Sequence, residues 1–293
     1  MRNTIEVTHA ARPVTYTVDA SNERGETVPT AIAGEHALTL YLDKRELVTL
    51  MTLGAAPESL AIGYLRNQRI VRSADELAAV QVDWDVDSVA ITSRTLQQTG
   101  ITIWEQRDRQ QELERKMGRR TVTTGCGQGT VFGDLMDEID TIQLPASAML
   151  SEEVLYSVMD RVRRHESIYK VAGAVHGCAL CANSGEQRGE ILNFVEDVGR
   201  HNAVDAIAGW MWQQGVDGAD KIFYTTGRLT SEMVIKCAQM GIPFLLSRSG
   251  LTHMGHQIAT RIGITMIGRC QGKHYLLFSG AERFVRLQTS TIA

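Results

Sequence analysis

The sequence predicts an α/β protein with a smaller N-terminal α+β part, and three observations carry that prediction. From about residue 171 onward, short apolar runs of strand length alternate with segments of helical apolar spacing, as in a sheet with helices packed on it. Upstream the chain reads as a hairpin, one amphipathic helix and short strands, which puts the division between residues 1–145 and 146–293. A chain of 293 residues, 43% hydrophobic and 22% charged, has the length and composition to bury a real core without disulfide staples.

Taken in order, residues 1 to about 34 are polar, with a short strand expected near Val14-Thr15-Tyr16-Thr17-Val18. Ala37 to Leu42 and Leu47 to Met51 flank the charged turn Asp43-Lys44-Arg45 and read as a β-hairpin. Pro57 opens a helix, since proline suits the first helical position, and Leu60, Ala61, Tyr64 and Leu65 give it an apolar stripe through about Ile70. Short strands follow around Val80–Val82 and Val89–Ile91, and the charged run Arg109–Lys116 reads as a solvated helix or a linker. Ser151 is placed to cap a helix whose apolar positions are Val154, Leu155, Val158 and Val162. A strand through Val175, another over Ile191–Val195, and a helix through Ala203, Ile207 and Trp210 come next. Strands at Lys221–Tyr224, Pro243–Leu246, Ile264–Ile267 and Tyr275–Phe278 complete the α/β half, with helices through Met233 and near Ile258.

Composition also excludes classes. No apolar run is long enough to cross a bilayer, and the first residues lack the apolar core of a secretory signal, so a reducing cytoplasm is the expected compartment. A net charge of -4 gives no global attraction to nucleic acid or to anionic lipid, so any anion site is local. Five cysteines, an odd number, do not form a disulfide framework.

Gly125-Cys126-Gly127-Gln128-Gly129 is the first candidate site. It sets a thiol among glycines that tolerate positive φ, downstream of Arg119 and Arg120, whose charge would favour the thiolate. Two readings stand, a reactive thiol on a loop and a small cysteine buried in a turn. In the α/β half, ligands are expected beyond the carboxyl ends of the strands. Thr225-Thr226-Gly227-Arg228-Leu229-Thr230-Ser231-Glu232 and Ser247-Arg248-Ser249-Gly250-Leu251-Thr252 each offer a glycine, an arginine, hydroxyls and backbone N–H groups suited to an anion. The alternative is that Arg228 and Arg248 pair with carboxylates such as Glu232. Glu196 to Asp205 forms a third loop, with Asp197 as a helix cap and Arg200, His201 and Asn202 in the first turn pointing into the same crevice; His201 is equally open to a structural role. Cys178 and Cys181 have the two-residue gap favoured by zinc sites, but in a strand they face opposite sides, so buried apolar cysteines are expected, with no metal. Cys237 falls in a helical apolar pattern. Cys270 is expected in a short polar turn with Arg269, Gln271, Gly272, Lys273 and His274, adding donors to the crevice.

Val175-His176, Glu196-Asp197-Val198-Gly199-Arg200-His201-Asn202-Ala203-Val204-Asp205, Thr226-Gly227-Arg228-Leu229-Thr230-Ser231-Glu232-Met233-Val234, Gly241-Ile242-Pro243 and Ser247-Arg248-Ser249 together resemble the formate dehydrogenase accessory sulfurtransferase family, FdhD. The resemblance runs from Leu38 to Phe278. It implies a fold similar to cytidine deaminases joined to a smaller N-terminal part, and a homodimer. It also implies a persulfide on Cys126, loaded by a cysteine desulfurase and passed to the molybdenum cofactor, in its bis molybdopterin guanine dinucleotide form, before insertion into formate dehydrogenase. Arg269 to His274 match the family's short cofactor-binding segment loosely. Gly129 stands where the family commonly has a second cysteine, so a mechanism that needs two thiols is in question, and a chaperone that delivers the cofactor without moving sulfur is the alternative. Guanine nucleotide serves as a mimic of the cofactor's nucleotide ends, expected against helices beginning near Arg228 and Gly250. His-x-Glu paired with Pro-Cys-x-x-Cys is absent, so the likeness to deaminases would stop at the fold.

Overall fold

The structure, a computed structural model, describes residues 4–106 and 139–287. Its elements in chain order are β1 (Glu6–Val7), β2 (Thr15–Ser21), β3 (Thr27–Ala33), β4 (His36–Leu42), β5 (Arg45–Thr52), α1 (Pro57–Asn67), β6 (Leu77–Asp83), β7 (Ser88–Ser93), α2 (Arg94–Thr99), α3 (Ile103–Gln106) and β8 (Leu150–Ser151). There follow α4 (Glu152–Arg164), α5 (Ile168–Ala172), β9 (His176–Ala182), β10 (Ile191–Asp197), α6 (Arg200–Gln214), β11 (Lys221–Thr225), α7 (Ser231–Gln239), β12 (Phe244–Ser247), α8 (His253–Ile262), β13 (Thr265–Gln271), β14 (His274–Ser279) and β15 (Phe284–Val285).

Two compact units interleave along this order. The first takes Met1–Asp134, Glu166–Gly177 and Val195–Val216; the second takes Leu135–His165, Cys178–Phe194 and Asp217–Ala293. The partition differs from a single cut at residue 145, because α6 packs along α1 although more than a hundred residues separate them in the chain.

In the first unit a five-stranded sheet has the order β1-β6-β7-β4-β5. The β4–β5 hairpin forms as expected, its turn made by Asp43 and Lys44 in the left-handed region (φ 48° and 71°). Asp43 holds that turn in place by accepting from Ser93 N at 2.7 Å and Ile103 N at 2.8 Å. Alternate residues Leu38, Leu40 and Leu42 are buried in one cluster with Leu60, Ala61 and Leu65 of α1, so the period of two in the strand meets the helical stripe. Helices α1 and α6 approach at two glycines. A Cβ built on Gly63 would lie 1.6 Å from Asp205 O, and one on Gly209 would lie 1.9 Å from Ser59 O, so no side chain fits at either position. Asn67 Nδ2 donates to Asp205 Oδ1 at 2.7 Å and Ser59 Oγ donates to Gln213 at 2.7 Å across the same contact.

The second unit is built on a six-stranded sheet of order β10-β9-β11-β12-β13-β14, and the chain passes from one unit's residues to the other's within β9 and again within β10. Strands β11, β12 and β13 are parallel neighbours, while β9 and β14 run antiparallel to theirs. Ser151 caps α4 as expected, accepting from Val154 N at 3.3 Å. Val154, Leu155 and Val158 of that helix are buried with Ala179, Cys181, Ile222, Phe244 and Ile267 of the sheet.

Three local expectations are corrected. Val171 lies in α5 and not in a strand: Ser167 caps that helix, Glu196 accepts from Ile168 N at 2.5 Å and Tyr169 N at 3.2 Å, Gly173 ends it at φ 66°, and β9 starts only at His176. Asp197 does not cap α6, whose N-cap is Gly199 with no side-chain bond. The helices expected near Arg228 and Gly250 start at Ser231 and His253, with Thr230 and Thr252 as their N-caps.

Candidate functional site

In the second unit, β11, β12 and β13 are parallel, so their carboxyl ends lie side by side along one edge of the sheet, where open α/β folds bind ligands. The loops leaving β11 and β12 are stitched together. Leu229 N donates to Gly250 O at 3.0 Å and Thr252 N returns to Leu229 O at 3.1 Å, which gives an isolated parallel bridge beyond the sheet. Ser247 Oγ donates to Gly227 O at 2.6 Å and itself accepts from Ser249 N at 2.8 Å. Thr225 Oγ1 accepts from Gly227 N at 3.0 Å and from the Cys178 thiol at 3.3 Å. Gly255, in the first turn of α8, has Leu229 O where a Cβ would meet it at 2.6 Å, so helix and loop come closer than any side chain permits.

This edge displays charge. Arg228, Arg248 and Arg269 are exposed, as are Gln271, Gly272, Lys273 and His274 at the β13–β14 turn. Ser249 and Gly250 are half-buried, Gly227 is buried, and Ser231 is buried as the first residue of α7. Glu232, the carboxylate adjacent to these loops in sequence, lies 3.7 Å from Lys236 Nζ on its own helix, both side chains being inside the protein. Thr230 is one of the hydroxyls that the sequence offers in the first of these loops. It is 5% exposed, forms no cap hydrogen bond to α7, and its Oγ1 has no partner among the described residues. A buried hydroxyl without a partner costs about 1–3 kcal/mol, so an unused donor at the N-terminus of a nine-residue helix is a position where an anionic ligand would recover that cost.

Arg269 reaches this edge through a β-bulge: Gly268 pairs with Leu276 and Gln271 with His274, which leaves two residues opposite Tyr275. Arg269 takes φ 55° there and its N–H donates to Ser249 O at 2.9 Å, tying β13 to the β12 loop. The bulge also places Cys270 differently from the sequence expectation. It lies within β13, 3% exposed and in the core cluster, with burial pushing its thiol up to about 12, so it does not present a donor in the turn. Cys181, pushed up to about 12, and Cys237, raised further, are buried in the same way, as expected of core cysteines.

Arg200, His201 and Asn202 belong to the first unit and are buried there, 1–3% exposed. Asn202 Nδ2 donates to Met51 O at 2.6 Å and to Asp197 Oδ1 at 2.7 Å. Asp197 collects four donors, the others being Thr52 Oγ1 at 2.5 Å, Leu53 N at 3.0 Å and Gly199 N at 2.9 Å. Burial raises its pKa and those four hydrogen bonds pull it back, the desolvation being the larger effect. The carboxylate thus joins the end of β5 to the start of α6. Cys126 and the glycines around it lie outside the described residues, as does Arg109–Lys116. Among the described residues, no group of three or more His, Cys, Asp or Glu is disposed to hold a metal ion, and no helix is long and apolar enough to cross a membrane.

Residues 33–285 match the model of the FdhD/NarQ family. The chain belongs to that family. FdhD relatives cover most of it: "Sulfur carrier protein FdhD" of Listeria monocytogenes serotype 4b (strain F2365) is 28% identical over 258 residues, 87% of this chain and 92% of the relative. The protein of the same name from Bacillus subtilis (strain 168) is 27% identical over 267 residues, 89% and 94% of the two chains. A crystal structure from Desulfotalea psychrophila, assigned as a formate dehydrogenase accessory protein, superposes with a TM-score of 0.70 over 93% of this chain and all of that one, at 23% identity, which establishes a shared fold. The FdhD match spans both units, so the buried Asp197 network and the exposed arginine edge both lie within it.

Proposed function

We propose that the protein is a sulfur carrier required for formate dehydrogenase activity, moving sulfur from a cysteine desulfurase to the molybdenum cofactor through a persulfide on Cys126. The Cys126 thiolate attacks the outer sulfur of the donor persulfide, a new S–S bond forms, and the donor cysteine leaves as a thiolate. In the second step the Cys126 S–S bond would break as the outer sulfur bonds to the molybdenum centre of the bis molybdopterin guanine dinucleotide cofactor, which is the cargo; the two electrons that bring that sulfur to the sulfide level would come from the reduced metal, and Cys126 would leave as a thiolate. The reading includes a homodimer working in the cytoplasm, a fold of the cytidine deaminase kind, and association with formate dehydrogenase. Its support is family membership together with relatives named as sulfur carriers.

The observation that carries the cofactor half of this reading is the loop edge at the carboxyl ends of β11 and β12. Guanine nucleotide ends carry phosphates, and a chain of net charge -4 needs a local positive site for them. Exposed Arg228 and Arg248 supply fixed charge beside the N-termini of α7 and α8, and Thr230 Oγ1 supplies an uncommitted hydroxyl. Gly227, Ser231, Ser249 and Gly250 form the walls, and Gln271, Gly272, Lys273 and His274 extend the edge. Arg200, His201 and Asn202, buried in the first unit, are assigned to the cofactor in this reading as well.

Titration with GDP tests the edge, with Arg228→Ala and Arg248→Ala each expected to weaken binding tenfold or more; GDP binding as in wild type by both variants would move the nucleotide elsewhere. For the sulfur half, the protein is incubated with a cysteine desulfurase and cysteine and its added sulfur is located by mass spectrometry. Sulfur on Cys178, Cys181 or Cys237 in place of Cys126 overturns the assignment. A second reading, delivery of cofactor without sulfur transfer, is favoured by Gly129 at the second-cysteine position. A Cys126→Ala variant that still activates formate dehydrogenase would select it.

A further inference from the structure

We infer that Glu152 is a positioning residue for ligand binding: through Tyr275 and Tyr156 it fixes the aim of the β13–β14 turn, which presents Gln271, Lys273 and His274 at the loop edge. The inference rests on the reading of that edge as the nucleotide site. Glu152 opens α4, whose N-terminus Ser151 already caps, so its carboxylate is not needed to start the helix. It gathers donors from three segments instead. Oε1 accepts from Tyr275 Oη at 2.7 Å and from Tyr156 Oη at 3.0 Å, and Oε2 accepts from Leu287 N at 2.8 Å. Tyr156 Oη also lies 3.3 Å from Lys273 O, so its single proton has the carboxylate and the turn's own carbonyl as alternative acceptors, the carboxylate being nearer. The two phenol rings meet edge-on at 6.1 Å, and Tyr275 meets buried Phe284 edge-on at 5.5 Å.

The turn has reason to need such a hold. Strand register normally fixes where a hairpin turn points, but the bulge between Gly268 and Gln271 interrupts the ladder immediately before it. Only the Gln271–His274 pair closes the turn beyond the bulge, and Gly272 sits at φ 61°. The Glu152 network takes hold on the far side of the turn, at Tyr275, where the ladder cannot.

The test uses the full-length protein with Glu152→Gln and Tyr275→Phe, the second keeping the half-buried ring. Three measurements are made: GDP affinity, hydrogen exchange of the amides at 271–274, and the ultraviolet titration of the phenols. Both variants are expected to bind GDP roughly three- to tenfold more weakly, the worth of one or two hydrogen bonds, with faster exchange in the turn. Glu152→Gln is also expected to let the Tyr275 phenol, held up to about 12 by burial and by the carboxylate, ionise at lower pH, a signature that a merely structural loss would not produce. If wild type binds GDP and both variants bind it equally well, the positioning role is wrong. Equal exchange rates at 271–274 in all three proteins overturn it as well. Absence of GDP binding by wild type is a different failure: it removes the reading of the edge, and the inference with it.

Discussion

Two stretches of this chain look alike in sequence and do opposite things in space. Glu196 to Asp205 and the pair of loops at Thr225–Ser231 and Ser247–Thr252 are both dense in charge, amide and hydroxyl. In the first unit those side chains point inward: Asp197, Arg200, His201, Asn202 and Asp205 are at most 4% exposed, and they join β5, α1 and α6. In the second unit the arginines stand in solvent while the loop backbones are tied to one another. A buried polar group is costly when its partner is lost, and an exposed one is nearly free for stability but available to a ligand. The same type of substitution therefore has opposite readouts in the two stretches.

The largest effect is expected where backbone meets backbone. Gly63→Ala would drive a methyl group into Asp205 O, and the loss in urea unfolding should be at least about 3 kcal/mol, enough to deplete the folded protein. Asp197→Ala comes next. It strips four donors of their acceptor and should cost about 2–4 kcal/mol, while the affinity for GDP per folded molecule stays as in wild type. If Asp197→Ala abolished binding without loss of stability, the contrast between wiring and display would fail. Arg228→Ala should do the reverse, weakening GDP by about 1.5–3 kcal/mol with a change in unfolding within about 0.5 kcal/mol. The smallest effect is a pH dependence. Hydrogen bonds from Tyr275 and Leu287, with Tyr156 and nearby Arg286 adding to them, hold the Glu152 carboxyl below its ordinary value. A depressed carboxyl contributes stability that is fully present above the unfolded value near 4.5 and is lost as pH falls through the folded one. The difference in urea midpoint between wild type and Glu152→Gln should therefore be constant from neutral pH to about 5 and shrink below it; a constant difference down to pH 3 would contradict the network.

Much of the fold could be read from the chain because periodicity is local. Ser151 followed by Val154, Leu155 and Val158 states both a cap and a buried face, and the strands from Lys221 to Phe278 lie where their apolar runs are. Misreadings arose where a distant contact decides. Val171 and Val175 suggest a strand, yet Glu196 satisfies the first amides of α5 and Gly173 stops it. Cys270 reads as part of a polar turn, yet the bulge shifts the alternation so that it faces the core. The glycines of Gly227-Arg228 and Ser249-Gly250 suggested the helix starts, which fall instead at the threonines after them, because Leu229 and Leu251 first form a bridge. Nothing within Arg200-His201-Asn202 says whether it is inside or outside; that depends on Met51, Thr52 and Leu53, about 150 residues earlier. Thr230 is offered by the sequence as one of the loop hydroxyls, but only burial reveals that it is unspent.

The interleaving of the two units has a consequence for biosynthesis. Asn67 and Asp205, bonded across the α1–α6 contact, are 138 residues apart, so the first helix leaves the ribosome long before its partner exists. At about 5–20 residues per second the wait is roughly 7–30 s, far longer than a helix needs to form or a chain to collapse. During that interval the face of α1 that carries Gly63 lacks the glycine of α6 against which it closes. The second unit's segment Cys178–Phe194 must be translated before α6 appears, so neither unit can finish before the other has begun. Nascent chains stalled before residue 205 should accordingly be bound by chaperones and cut readily by protease at α1, and release of residues 200–214 from the exit tunnel should end the sensitivity of that helix in one step.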